Sequence, residues 1–232
     1  MQGRDFSPAR FISFEGIDGC GKSTLMAQLS RWLDEAGIDH IRTREPGGTA
    51  LGEEIRSLLL DPSHTGMNQQ AEVLLYTASR AQLAHEVIHP ALNRGTWVLT
   101  DRYIDATLAY QGYGRDLDLE SLRRIQDWAT NGLWPHSTIL LDCDLQIGLT
   151  RMQARQGDPD RIEQEALTFH AKVREGYLRL AAAEPQRFTV LDASKPLQVV
   201  AEQFHKLFCA PLLQTIQQVS SARSSEKSFS SI

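Results

Sequence analysis

Apolar positions along this chain fall into two alternating spacings. Short unbroken runs at 11–14, 97–100, 138–141 and 188–191 read as buried strands, being rich in aromatic and β-branched residues and bounded by turn residues. A weaker run over 38–43, with Ile38 and Ile41 as its apolar members, reads as one more strand. Between the runs, apolar residues recur three and four apart. Leu25, Met26, Leu29, Trp32 and Leu33 mark one face of a helix that Gly37 stops. A helix over 51–60 should turn Ile55, Leu58 and Leu59 inward, with Arg56 among them, and end at Asp61-Pro62. The longest helical pattern, 68–93, has Val73, Leu74, Leu83, Val87, Ile88 and Leu92 as its apolar set. Further helices are predicted over 117–131, 145–156, 163–183 and 196–213. Strands alternating with helices predict an α/β fold, a five-stranded parallel sheet with helices on both faces.

Composition narrows the class without naming a chemistry. A length of 232 residues suits one domain with a large core, with 41% hydrophobic and 23% charged residues. The expected organisation is an N-terminal arm over 1–10, a single domain over 11–213, and a serine-rich tail over 214–232 with little to bury. A net charge of −5 gives no electrostatic reason to expect a nucleic-acid polymer as partner. Cys20, Cys143 and Cys209 share no metal-type spacing and suit a reducing cytosol. No segment reads as long and apolar enough to span a membrane, and residues 1–10 lack the apolar stretch of a signal peptide. A cytoplasmic protein is expected.

The chemistry enters at Gly16-Ile17-Asp18-Gly19-Cys20-Gly21-Lys22-Ser23, followed by Thr24, which fits G-x-x-x-x-G-K-[ST] between the first strand and the first helix. Glycines let backbone N–H groups turn inward, and the helix N-terminus adds partial positive charge, so the stretch reads as a cradle for a nucleoside triphosphate. Lys22 can reach the β- and γ-phosphates, and the Ser23 hydroxyl can ligate Mg²⁺. Asp101, ending the third strand, suits the second metal-facing position, a helix N-cap being its structural alternative; Arg102 follows it with an anion-binding guanidinium. Arg44-Glu45-Pro46-Gly47-Gly48-Thr49 must turn at the end of a strand, either as an ordinary turn or as a ligand-binding edge. Tyr76 and Arg80 share a helical face, Tyr76 reading as a core residue and Arg80 as a solvated surface charge. Arg151, Arg155 and Arg161 flank a Gly/Pro break and read as a lid, about 151–161, able to close on phosphates.

Several classes drop out. His85-Glu86-Val87-Ile88-His89 matches H-E-x-x-H, but Pro90 disfavours a helical His89 and no third ligand is set up nearby, so no zinc site is expected. A GTPase should carry N-K-x-D, and none of Asn68, Asn93 and Asn131 precedes a lysine. An oligomeric motor would carry more chain. A small kinase acting on a second small molecule remains.

The linked motifs at 14–24, 44–49, 101–103 (Asp-Arg-Tyr), 109–112 (Ala-Tyr-Gln-Gly) and 160–163 (Asp-Arg-Ile-Glu) resemble those of the thymidylate kinase family, over about 11–213. The resemblance implies the P-loop nucleoside monophosphate kinase fold, ATP as donor, dTMP as acceptor, Mg²⁺ and a homodimer. It implies that Asp18 meets the acceptor's 3′-hydroxyl and helps order the metal. Glu45 and Pro46 would line the acceptor site, and Arg56 and Arg102 would face its phosphate. Arg80 would read the thymine edge, with Thr107 and Gln111 completing the base contacts. Tyr76 stands where the family usually has a phenylalanine on the base, and Ala106 where relatives often have serine. Tyr110 would crowd the sugar's 2′ position. Some members carry an arginine inside the phosphate loop, and here that position is Cys20. The resemblance is therefore to bacterial members with lid arginines, and it assigns the charge-stabilising role to Arg155, with Arg161 behind it. Another pyrimidine monophosphate such as dUMP, or a non-catalytic nucleotide-binding regulator, stands as the alternative.

Overall fold

The computed structural model describes residues 10–154 and 158–210. The arm before Arg10, Arg155 and the serine-rich tail lie outside the described residues. Strands β1 (Phe11–Glu15), β2 (His40–Arg44), β3 (Trp97–Asp101), β4 (Ser137–Asp142) and β5 (Phe188–Asp192) form one parallel sheet in the order β2-β3-β1-β4-β5. Every residue of β1 is buried, Ser13 and Glu15 included, as fits a strand flanked on both sides and covered on both faces. β2 is an edge strand with no buried residue, which is why its pattern was weak. It starts at His40 rather than Ile38. Ile38 instead closes the end of helix α1 (Lys22–Glu35), its N–H bonding Leu33 O at 2.9 Å across left-handed Gly37.

Helix α2 (Ala50–Leu60) is capped by the Thr49 side chain, which accepts from the Gly52 N–H. It buries Ile55 and Leu59, but Leu58 is exposed, and so is Leu74 on α3 (Gln69–Leu83), against expectation. The predicted 68–93 helix is continuous but not uniform. A π-type turn at Ala84–Ile88 leads into α4 (His89–Asn93), and His89 is fully helical at φ −56°, ψ −47°. Pro90 therefore does not break the helix. The wider turn passes the His89 N–H to Ala84 O, and the N–H that Pro90 lacks falls at the join between the two windings.

A short α5 (Ile104–Thr107) runs into a second π-type turn at Leu108–Gly114, then α6 (Leu119–Thr130) with Asp118 as N-cap. Helix α7 (Leu145–Gln153) follows β4. Helix α8 (Leu167–Ala183) starts later than the 163–183 reading, because Asp160 Oδ1 accepts from the N–H groups of Ile162 and Glu163 and holds the preceding residues in a turn. Helix α9 (Leu197–Phe204) and a π-type turn at His205–Cys209 end the described chain. No helix among the described residues is long and apolar enough to cross a membrane.

Candidate active site

The glycine loop lies where β1 meets neighbours on opposite sides, the switch point at which open parallel sheets bind ligands. Gly16, Gly19 and Gly21 all have positive φ. A Cβ at Gly19 would meet Gly148 O on α7 at 2.2 Å, so only glycine lets the loop pack there. Lys22 is 7% exposed, not a solvated surface lysine. Its Nζ donates to Gly16 O and Ile17 O, both at 3.2 Å, and lies 3.8 Å from Asp18 Oδ1. Gly16 and Ile17 hold this lysine by their carbonyls and are not among the residues lining the cavity that the rest of the loop lines. Gly19 to Thr24 line an open cavity of about 570 Å³ with Asp18, Asp101, Arg151 and Lys195.

Ser23 Oγ donates to Asp101 Oδ2 at 3.3 Å, and both residues line that cavity. Asp101 is not a helix cap; Tyr103 holds the N-cap position of α5 and makes no side-chain capping bond. A hydroxyl and a carboxylate side by side are hard oxygen donors that suit a divalent cation keeping most of its waters. No cluster of three or more His, Cys, Asp or Glu that could hold a metal occurs among the described residues. His85 is exposed, and the His89 ring is engaged by Thr130 O at 3.2 Å.

Arg102 is the pivot of the site. Its φ of +71° is a left-handed conformation that costs an arginine energy, and the surroundings hold it there. Its own N–H donates to Phe14 O at 3.0 Å, and the next N–H, of Tyr103, donates to Glu15 Oε1 at 2.7 Å. So held, the guanidinium reaches across to Gly16 O at 2.8 Å and Asp18 Oδ1 at 2.7 Å, over the Tyr110 ring. Burial alone would lower the Arg102 guanidinium; Asp18 and its neighbours outweigh that and keep it charged. Glu15 also accepts from Ser13 Oγ and Tyr177 Oη. Burial, with Asp105 second, pushes its carboxyl up to about 7. The sequence reading missed Glu15; a lone acid in an apolar strand was the available signal.

All nine residues expected at the acceptor, Glu45, Pro46, Arg56, Tyr76, Arg80, Arg102, Thr107, Tyr110 and Gln111, line one smaller cavity of about 90 Å³. Arg80 is 1% exposed, which decides core against surface. Its five N–H groups all meet protein oxygens: Glu45 Oε2 from both Nε and Nη2, Thr107 Oγ1, Gln126 Oε1 and Tyr103 O. A base edge would share these hydrogens rather than find a free fork. Burial pushes Glu45 up to about 7, with Arg80 pulling against it. Asp18, Glu45, Arg56, Arg102 and Asp160 line both cavities, so the two meet at a common wall.

The lid arginines separate. Arg151 lines the larger cavity and donates to Ala193 O at 2.9 Å. Arg155 lies outside the described residues. Arg161 does not point to the phosphate loop: it is buried, with Nε on Leu59 O at 2.7 Å and Nη1 on Glu72 Oε2 at 2.7 Å. The turn set by Asp160 directs it to α2 and α3, a contact between distant segments that no local pattern could announce. Lys195, which follows the end of β5, was also missed, although the carboxyl ends of the strands are where ligands collect.

A family model described as thymidylate kinase matches residues 14–204. The chain is 52% identical over 186 residues to the thymidylate kinase of Carboxydothermus hydrogenoformans, covering 80% of this chain and 90% of that protein. It is 54% identical over 190 residues to that of Deinococcus radiodurans, covering 82% and 91%. With two cavities sharing an Asp18–Arg102 wall beside a phosphate loop, and these likenesses over most of its length, the chain belongs to the thymidylate kinase family.

Proposed function

We propose that this chain transfers the γ-phosphate of ATP to dTMP, giving dTDP and ADP. The observation that carries the reading is the common wall: Asp18, Arg56 and Arg102 face a large cavity built on the phosphate loop and a small one built for a base and sugar. Phosphoryl transfer needs positioning and positive charge more than covalent help. Mg²⁺, held by Ser23 and Asp101, would supply charge neutralisation between the phosphates when bound. Lys22 and the N–H groups of the loop, from Gly19 to Thr24, hold the donor. Arg56 and Arg102 orient the acceptor phosphate, and Asp18 keeps Arg102 in place while facing the sugar. The acceptor oxygen is already anionic, so no base has to take a proton from it. Arg151 and Arg155 bring positive charge to the donor side; Arg161 anchors their segment.

Tyr76 offers its ring to the base, and Tyr110, over which Arg102 lies, fills the space a 2′-hydroxyl would need. A homodimer is supported by exposed Leu51 and Leu58 on α2 and Leu74 on α3, two helices packed together, and by Trp128 on α6, 83% exposed. Cytoplasmic residence is supported by three free, buried cysteines. A coupled assay of dTDP formation from ATP and dTMP, with dUMP and dCMP as competitors, tests the reaction. Absence of dTDP with magnesium present would overturn it. Light scattering tests the dimer.

A further inference from the structure

Glu72 on α3 is 1% exposed and touches neither cavity, yet four hydrogen bonds converge on it. Oε1 accepts from Gln111 Nε2 at 2.8 Å and Arg115 Nε at 3.2 Å. Oε2 accepts from Arg115 Nη2 at 3.1 Å and Arg161 Nη1 at 2.7 Å. Arg115 continues to Glu165 Oε1 at 2.6 Å. Two carboxylates and two guanidinium groups thus close a neutral cluster around one side-chain amide. That amide belongs to Gln111, which lines the acceptor cavity. The arginine belongs to the segment whose Asp160 and Ile162 line the same cavity.

We propose that Glu72 is a positioning residue that sets base selectivity: it fixes the side-chain amide of Gln111 with its oxygen toward the acceptor base, and ties that amide to the 160–165 segment. The inference rests on the reading of the acceptor as a thymine nucleotide. Burial would raise the Glu72 carboxyl, but the hydrogen bonds from Arg115, Gln111 and Arg161 outweigh it and hold it below its ordinary value. It is therefore acceptor-only at neutral pH. Gln111 must turn its NH₂ to it, since the opposite orientation would set two oxygens against each other without solvent. The amide oxygen is left for the cavity. It is an acceptor matched to the N3–H of a pyrimidine-2,4-dione and opposed to the N3 lone pair of cytosine. Arg161 carries the second half of the argument, because the carboxylate that orients the amide also anchors the wall closing over the base.

The test is Glu72→Gln, which can offer either an oxygen or an NH₂ and so removes the bias on Gln111. The ratio of kcat/KM for dTMP over dCMP should fall by about tenfold or more, mainly through a higher KM for dTMP. A purely structural role would lower activity on all nucleotides alike. A folded variant with unchanged selectivity overturns the proposal. Should the variant not fold, the wild-type protein labelled with ¹⁵N-glutamine answers instead. The Gln111 side-chain NH₂ should be protected from solvent exchange and shift little on saturation with dTMP. Exchange as fast as at an exposed glutamine, or a reorientation on binding, overturns it. If the wild type makes no dTDP while the amide remains protected, the substrate reading has failed and the Glu72–Gln111 link has not.

Discussion

The larger and the smaller cavity, proposed above as the donor and acceptor sides, share a wall and are built in different ways. The larger cavity, about 570 Å³ and open, is centred on one continuous stretch, Asp18 to Leu25, with single residues from remote segments around it. The smaller cavity, about 90 Å³, is assembled from single residues as far apart in the chain as Asp18 and Ile162, with no long continuous stretch among them. Its parts are cross-linked beneath the surface, Glu45 to Arg80 and Gln111 to Glu72. A phosphate chain is recognised by N–H groups and charge that any nucleotide shares, so a local loop suffices. A base is recognised by fixed donors and acceptors, and fixing them in a low-dielectric interior requires paired charges. The donor side is thus sensitive to loss of a single charge, and the acceptor side to loss of a network.

The largest break in that comparison is Lys22→Ala. Turnover should fall about 10³-fold or more, the range for removing a charge clamp on the transferring phosphoryl. Because Lys22 is buried against loop carbonyls, some stability should go with it; near-normal turnover in a folded variant would refute the donor assignment.

On the acceptor side, Arg80→Met leaves Glu45 buried without its partner. A stability loss of about 3–5 kcal/mol is expected by chemical denaturation, with kcat/KM for dTMP falling chiefly through KM. A loss below about 1 kcal/mol would show that the buried pair is not holding the cavity.

Glu15 sharpens the comparison at the shared wall. Its folded carboxyl lies near 7, above its ordinary value of 4.5, so the folded chain binds this proton more readily than the unfolded chain between those values. Its contribution to stability therefore falls as pH rises from 4.5 to 7 and levels off above. Glu15→Gln does not titrate. Its stability relative to wild type should climb across that window by up to about 3 kcal/mol, measured as the slope of the difference between the two proteins. Glu45 titrates in both and cancels. A flat difference would place the Glu15 carboxyl at its ordinary value.

A smaller effect separates the arginines of the lid segment. Arg155→Ala should lower kcat about tenfold to a hundredfold with little change in KM for dTMP, the sign of a contact made in the transition state. Arg161→Ala should lower Tm more than kcat, because it ties Glu72 to Leu59. The reverse result would return the charge-stabilising role to Arg161. The smallest effect is expected for His85→Gln with His89→Gln: kinase activity within about a fewfold, since no charge or metal in the mechanism depends on them. Stoichiometric zinc lost together with activity would overturn that.

What the sequence by itself determined is what depends on neighbours along the chain. The five strands, the glycine loop and Ser23 with Asp101 could be read because each sits in a short pattern tied to a strand end or a helix face; the residues expected at the acceptor came from the family resemblance. The tertiary structure alone decided which polar groups are paired in the interior. Arg80 read as a solvated surface charge until four partner residues, drawn from three segments, closed around it. Arg161 read as a phosphate clamp until the turn at Asp160 sent it to Glu72. Leu58 and Leu74 kept helical spacing yet face outward, because periodicity marks an apolar face and not what covers it. A charge carries no signature of its partner in the residues beside it: the energy of a buried pair depends on distance and solvent exclusion, and both are set only when remote segments meet.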